Sequence, residues 1–205
     1  MNTLSASAPD GAQFRLASRS PRRVQLLRDA GYRFETAPAD VPEIPGAGES
    51  PLDYARRLAL DKARAAAADL PCLGADTDVS VDGRILGKPR DAEDAVAMLL
   101  ALSGRRHQVI SAVALVAGAR ESVIATVTEV EFVHLDRAQA LAYWATGEPA
   151  DKAGAYAIQG LAARFVRAVQ GSVTGVVGLP LAESCELLAS FGIYPASAGQ
   201  RLTSP

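Results

Sequence analysis

The sequence predicts an α/β fold: a mixed, twisted sheet with flanking helices. Three observations carry this. Short apolar runs alternate with stretches of helical periodicity. The connections include both long crossovers and tight hairpins. No internal repeat and no linker divides the 205 residues into independent units. Crossovers make parallel strand pairs and hairpins make antiparallel ones, so both kinds belong to one sheet.

The elements follow in order. Phe14–Ser18 (FRLAS) is a short apolar strand. Ser20 caps a helix that runs to Ala30, with Pro21 at its first position and Gly31 placed to end it. Tyr32–Thr36 alternates as a strand does, and ADVPEIPGAGES is a Pro- and Gly-rich loop. Ser50 caps a second helix, whose Leu52, Ala55, Leu58, Ala59, Lys62, Ala63 and Ala66 recur at helical spacing. PCLGADTDVSV is a strand, turned at Asp82-Gly83 into RIL. Asp91 caps a third helix, which carries acids in its first turn as the helix dipole prefers.

Two long apolar strands, Val109–Val116 and Ser122–Val133, meet near Gly118. Asp136 starts a helix through Trp144, and DKAGAYAIQG is a Gly-broken loop entering a strand. ARFVRAV is another strand, GSVTGVVGLP a loop, and Leu181–Phe191 the last helix. Residues 1–13 read as a short disordered leader without the features of a secretory signal, and 193–205 as a flexible tail. Residues 14–192 form the single folded domain.

Composition narrows the function classes. The net charge is -2 and the basic residues are not massed in a run, which argues against a nucleic-acid partner. No stretch is long and apolar enough for a membrane span. Cys72 and Cys185 lie far apart and fit neither a disulfide framework nor a CxxC metal site, as in a cytoplasmic protein with reduced core thiols.

The residues with chemistry to offer are few. Arg22 and Arg23 sit in the first turn of a helix, where the dipole is already positive and their charge has the wrong sign. Surface arginines are the ordinary explanation. A bound anion, held by free helix N–H groups and the guanidinium fork, is the functional one. Asp76 ends an apolar run, and Asp76 and Asp78 share a face if the strand continues, where they can hold a divalent cation beside phosphate. An aspartyl-phosphate phosphatase also uses a DxD pair, but in the first strand, and this one lies in the third. Lys88 follows the hairpin in GKPR, Lys62 either snorkels or serves the site, and Glu43 in the Pro/Gly loop can complete a cation site. His107 reads as a hydrogen-bonded structural histidine, His134 as a surface residue, and Tyr143 and Trp144 as helix packing. Gln159 offers an amide able to donate and accept at a base edge.

These pieces together resemble one family. LASRSPRR, the Glu of ADVPE, the Lys of LDKA, GADTDV, LGKPRD, LSGRRHQV, DKAGAYAIQG and VVGLPL occur in this order in Maf-family nucleotide pyrophosphatases, from about Leu16 to Leu188. The resemblance implies a cytoplasmic, dimeric enzyme of two lobes around a central cleft, like inosine triphosphate pyrophosphatases. It implies cleavage of a nucleoside triphosphate between the α and β phosphates with Mg²⁺ or Mn²⁺. Carried over by position, Asp76 is the base that activates water. Ser18, Arg22, Arg23, Lys62 and Lys88 bind phosphate, and Glu43 and Asp76 hold the metal. Arg22, Thr77 and Gln159 set specificity, and Thr77 with Gln159 resembles the dTTP/UTP branch. The alternatives are the 7-methyl-GTP branch and a nucleotide-binding regulator of cell division. Asp78 and Val173 depart from the family pattern: the first adds a carboxylate, the second replaces an aromatic residue of the base pocket.

Overall fold

The computed structural model describes residues 11–196; residues 1–10 of the expected leader and 197–205 of the expected tail lie outside the described residues. Strand β1 (Phe14–Leu16) pairs in parallel with β2 (Phe34–Thr36) on one side and with β3 (Cys72–Val81) on the other. Helix α1 (Pro21–Asp29) joins β1 to β2, and α2 (Pro51–Ala65) joins β2 to β3. From β3 onward the sheet is antiparallel, through β4 (Arg84–Leu86), β5 (Arg106–Ala117), β6 (Arg120–Phe132) and β7 (Val166–Gln170). Among the described residues the order is β2-β1-β3-β5-β6-β7, with β4 also on β3. The mixed sheet is therefore as expected.

The remaining helices are α3 (Ala92–Leu102), α4 (Arg137–Trp144), α5 (Val173–Val177) and α6 (Leu181–Ser190). The caps legible in the sequence form. Ser20, Ser50 and Asp91 each accept a backbone N–H three residues on, and Asp136 with Gln139 closes a capping box. Gly31 follows α1 with a φ of +84°, a left-handed conformation that favours glycine. Among the described residues no helix is long and apolar enough to cross a membrane.

Several expectations are corrected. The GSVTGVVGLP segment is not all loop: Ser172 accepts from the Gly175 amide and nucleates the short helix α5. Only the second half of ARFVRAV is strand; Leu161–Phe165 is a 3₁₀ turn, and DKAGAYAIQG contains part of one such turn and the whole of another. The first strand stops at Leu16 because the Ser18 amide turns back onto the Leu16 carbonyl. The described part of the tail packs back: Ile193 is buried and the Ala196 amide donates to the Gly31 carbonyl.

The core covers both faces of the sheet. On one face α2 lays Ala55, Ala59 and Ala63 against Ile110, Ala112, Ala114 and Val116 of β5. On the other, Phe14, Leu16, Leu27, Leu73, Val113, Leu115 and Leu179 form a cluster at the β1 end. Leu99, Val109, Phe132, Tyr143, Tyr156 and Phe165 form a second at the β4 end. Within the second, His107 is buried, stacks edge-on to Phe132, and bonds the Tyr156 hydroxyl through Nε2 at 2.9 Å. It is a structural histidine, as its sequence context suggests.

α2 lies very close to β3. A methyl group on Gly74 would overlap the Ala59 carbonyl oxygen and come within 2.6 Å of the Ala63 amide nitrogen. Both neighbours are helix backbone and cannot rotate away. Gly74→Ala should therefore cost about 3 kcal/mol, the upper end for overpacking, in denaturant unfolding. His107 supplies a second prediction. Burial pushes its pKa down to about 4. The unfolded chain protonates near pH 6.5 and the folded one does not, so stability falls as pH drops from about 6.5 toward 4. The chain has 2 histidines, so NMR titration separates them, and the His107 ring should stay neutral at pH 5.5 in the folded protein.

Candidate active site

The topology leaves a notch in the sheet. β1 stops opposite Leu73, and β4 begins only opposite Val79. Both pair with the same edge of β3, since β5 occupies the other edge. Between them the edge of β3 from Gly74 to Asp78 has no strand partner among the described residues. β1 also leads to β2 on one side while β3 lies on its other side. This is a switch point of an open sheet, at the carboxyl end of parallel strands, where ligands of α/β proteins bind. Side chains alternate along β3, so the notch has an acidic face toward α2 and a hydroxyl face toward α1.

On the α2 face, Lys62 projects from the buried stripe of its helix. Its Nζ donates to Asp76 Oδ1 at 2.6 Å and lies 2.7 Å from Glu43 Oε1. It does not snorkel: its side chain is 11% exposed and that of Asp76 is 9% exposed. Glu43 and Asp76, expected to share a metal, share this ammonium. Asp78 projects beside Asp76, and both are buried. Asp76 Oδ2 and Asp78 Oδ2 accept no hydrogen bond among the described residues. Burial first, and then the charge of the neighbouring Asp76, push the Asp78 carboxyl up to about 9. Tyr54 borders the same acids; burial first, and then their charge, raises its hydroxyl to about 12. No three His, Cys, Asp or Glu side chains converge as a ready-made metal cage among the described residues.

On the α1 face the two arginines differ. Arg23 turns its guanidinium inward. Nε donates to the Gly178 carbonyl at 2.7 Å and Nη1 to the Ala75 carbonyl at 2.8 Å. Weaker bonds reach Ser18 Oγ at 3.3 Å and Thr77 Oγ1 at 3.3 Å. Burial works against its charge, and the Asp76 carboxylate works for it. Ser18 is itself buried and accepts from the Ser20 amide at 3.1 Å. Arg22 makes no such bonds, and its Nε is buried without a partner among the described residues. Thr77 Oγ1 donates to the Gly178 carbonyl at 3.1 Å and meets Ser111 Oγ at 3.1 Å. Ser111 Oγ in turn donates to the Gly175 carbonyl of α5 at 2.7 Å. Thr77 thus ties the antiparallel pair of β3 and β5 to α5 and the turn after it. Val173, the first residue of α5, is 56% exposed.

The rim comes from the β4 end. Lys88 is exposed on the loop after β4, whose Gly87 carbonyl accepts from the Gly154 amide at 3.0 Å. Gln159 is exposed in the turn beyond. That turn is braced by Glu148, a residue the sequence reading missed. Its carboxylate accepts from Tyr143 Oη at 2.6 Å, the Leu161 amide at 3.0 Å and the Ala162 amide at 3.4 Å. Burial opposes its charge, but these bonds hold it below the usual carboxylate range. A methyl group on Gly160 would displace the Glu148 carboxylate from these amides. Ser111 was missed because it acts through residues remote in sequence, and Tyr54 and Glu148 because no motif marks them.

The arginines predict opposite outcomes. Arg23→Ala removes the guanidinium donor from the buried Ala75 carbonyl and leaves the Gly178 carbonyl to Thr77 alone, and should cost roughly 1–3 kcal/mol in thermal or denaturant unfolding. Arg22→Ala removes a like-signed charge from the helix start and should leave stability unchanged or slightly raised.

The comparisons with known proteins agree with this geometry. A model of the Maf family, described as Maf-like protein, matches residues 13–191. The dTTP/UTP pyrophosphatase of Saccharophagus degradans is 52% identical over 191 residues, 90% of this chain and 91% of that protein. The dTTP/UTP pyrophosphatase of Xanthomonas oryzae pv. oryzae is 52% identical over 187 residues, 87% of this chain and 98% of that protein. That of Aromatoleum aromaticum is 48% identical over 204 residues, covering 91% and 98%. The match spans every strand of the sheet and both faces of the notch, and the chain belongs to the Maf family.

Proposed function

We propose that this chain hydrolyses dTTP and UTP to the monophosphate and pyrophosphate, with the triphosphate lying in the notch between β1 and β4. The carrying observation is the Lys62–Asp76 pair, buried yet facing the unpaired edge of β3. A carboxylate held this way has one oxygen fixed by an ammonium and the other, Oδ2, unengaged and able to take a proton from water. Sequence relatives at about half identity bear the matching name.

The residues divide the work. Asp76 Oδ2 accepts the proton of the water that attacks the α-phosphorus. Lys62 fixes the rotamer of Asp76 and adds positive charge beside the phosphates. Arg22 at the α1 start and Lys88 on the opposite rim bind the phosphate oxygens, where positioned cations supply most of the catalysis. Ser18 and Arg23 shape the turn that presents Arg22. Thr77 acts on the base through Gly178 and α5, and Gln159 offers its amide from the braced turn. A divalent cation, Mg²⁺ or Mn²⁺, suits the orphaned carboxylate oxygens of the notch, and when bound it neutralises phosphate charge and acidifies a coordinated water.

A panel of canonical and modified nucleoside triphosphates, assayed for pyrophosphate release, tests the reading. dTTP and UTP should be the best substrates among the canonical set. Preference for 7-methyl-GTP would move the chain to the other branch, and tight nucleotide binding without turnover would make it a regulator. Asp76→Asn should lower pyrophosphate release about a thousandfold while circular dichroism stays unchanged.

A further inference from the structure

The acidic face of the notch holds buried carboxylate oxygens that its lysine does not reach. Asp76 and Asp78 lie there on one face of β3, and Lys62 bonds one oxygen of Asp76 and one of Glu43. Arg23 is close enough to feel all three acids, but its strongest bonds go to backbone carbonyls. Asp76 Oδ2 and Asp78 Oδ2 remain, both buried and both without a hydrogen-bond partner among the described residues. Buried carboxylate oxygens are expected to be paired. Asp76 and Asp78 lie two residues apart on the same face of β3, so a proton or a cation between their orphaned oxygens would satisfy both.

Three features favour the cation. The two carboxylates lie two residues apart on one strand face, above an edge left open to phosphate and water. The oxygens are hard donors, which suit Mg²⁺ or Mn²⁺ over softer metals. Such an ion commonly takes only one or two carboxylates and fills its shell with water and substrate phosphates. A preformed cage of three acids is then unnecessary, and none is present among the described residues.

We propose that Asp78 is a metal ligand in this chain: Asp76 Oδ2 and Asp78 Oδ2 together hold one Mg²⁺ or Mn²⁺, and Glu43 serves to position Lys62. The choice of ion and the phosphates that complete its shell rest on the pyrophosphatase reading above. The double duty of Asp76 is chemically consistent. An ionised carboxylate offers about four lone pairs. Lys62 takes one, the cation takes another, and lone pairs remain for the proton of the attacking water.

The test is Mn²⁺ binding to the nucleotide-free full-length protein, followed by the electron paramagnetic resonance signal of free Mn²⁺. The wild type should bind one ion. Asp78→Asn should weaken binding about tenfold or more, and Glu43→Gln by less than about threefold. Melting with and without Mn²⁺ separates folding from binding: at the same Mn²⁺ concentration the ion should raise the Tm of Asp78→Asn less than that of the wild type. Unchanged Mn²⁺ affinity in Asp78→Asn, a loss in Glu43→Gln as large as in Asp78→Asn, or no Mn²⁺ binding by the wild type would each overturn the assignment, the last leaving only a shared proton. dTTP turnover by the wild type is measured alongside. Asp78-dependent Mn²⁺ binding without turnover would refute the reaction and leave the metal site standing. Turnover with Asp78-independent binding would do the reverse.

Discussion

The ion pair between Lys62 and Asp76 depends on how near α2 lies to β3. A lysine on a helix reaches a strand carboxylate and leaves both buried only if the two backbones nearly touch. Gly74 permits that contact, with the Ala59 carbonyl and the Ala63 amide filling the space a side chain would take. The alanines at 55, 59 and 63 keep the same face of α2 thin against β5. Small residues on α2 are thus part of the site, although none touches a reacting group. Burial makes the arrangement consequential, because a charge removed from water is tolerated only when its partner is held in place.

The second constraint is the alternation of β3. Successive residues point to opposite faces, so Asp76 and Thr77 belong to different halves of the same notch. Asp76 and Asp78 face α2 and carry the charge. Thr77 faces α1 and α5 and carries the shape, through Arg23, Ser111 and Gly178. One strand therefore couples the position of the buried carboxylates to the position of α5 and the turn after it. The wrong-signed arginines at the start of α1 fit this division. Arg23 is satisfied by carbonyls of β3 and of the turn after α5, whereas Arg22 keeps its buried Nε unbonded at the notch.

Much of this was legible in the sequence because it is local. Caps at Ser20, Ser50, Asp91 and Asp136, the Asp82-Gly83 turn and the alternation of GADTDV are set by neighbours within a few residues. The family resemblance then brought Lys62, Glu43 and Asp76 to one place, which spacing alone does not do. The misses are non-local or marginal. α5 is five residues rich in valine and glycine, poor helix formers held by the Ser172 cap and the Ser111 bond. Glu148 braces a turn that begins nine residues later and carries no motif of its own. That Lys62 joins Glu43 to Asp76, and that Arg23 faces inward, depend on rotamers that packing selects.

The central claim is that the gap in the sheet between β1 and β4 is the catalytic cleft, with Asp76 as its base. A crystal structure with Mn²⁺ and the α,β-imido analogue of dTTP, which cannot be cleaved at the scissile bond, addresses it directly. The account predicts the triphosphate across the β3 edge, its α-phosphorus facing Asp76 and its oxygens on Arg22 and Lys88. A triphosphate bound elsewhere, for example in the groove of about 290 Å³ lined by Ser80, Arg106, His107 and Glu129, with the notch empty, would contradict it.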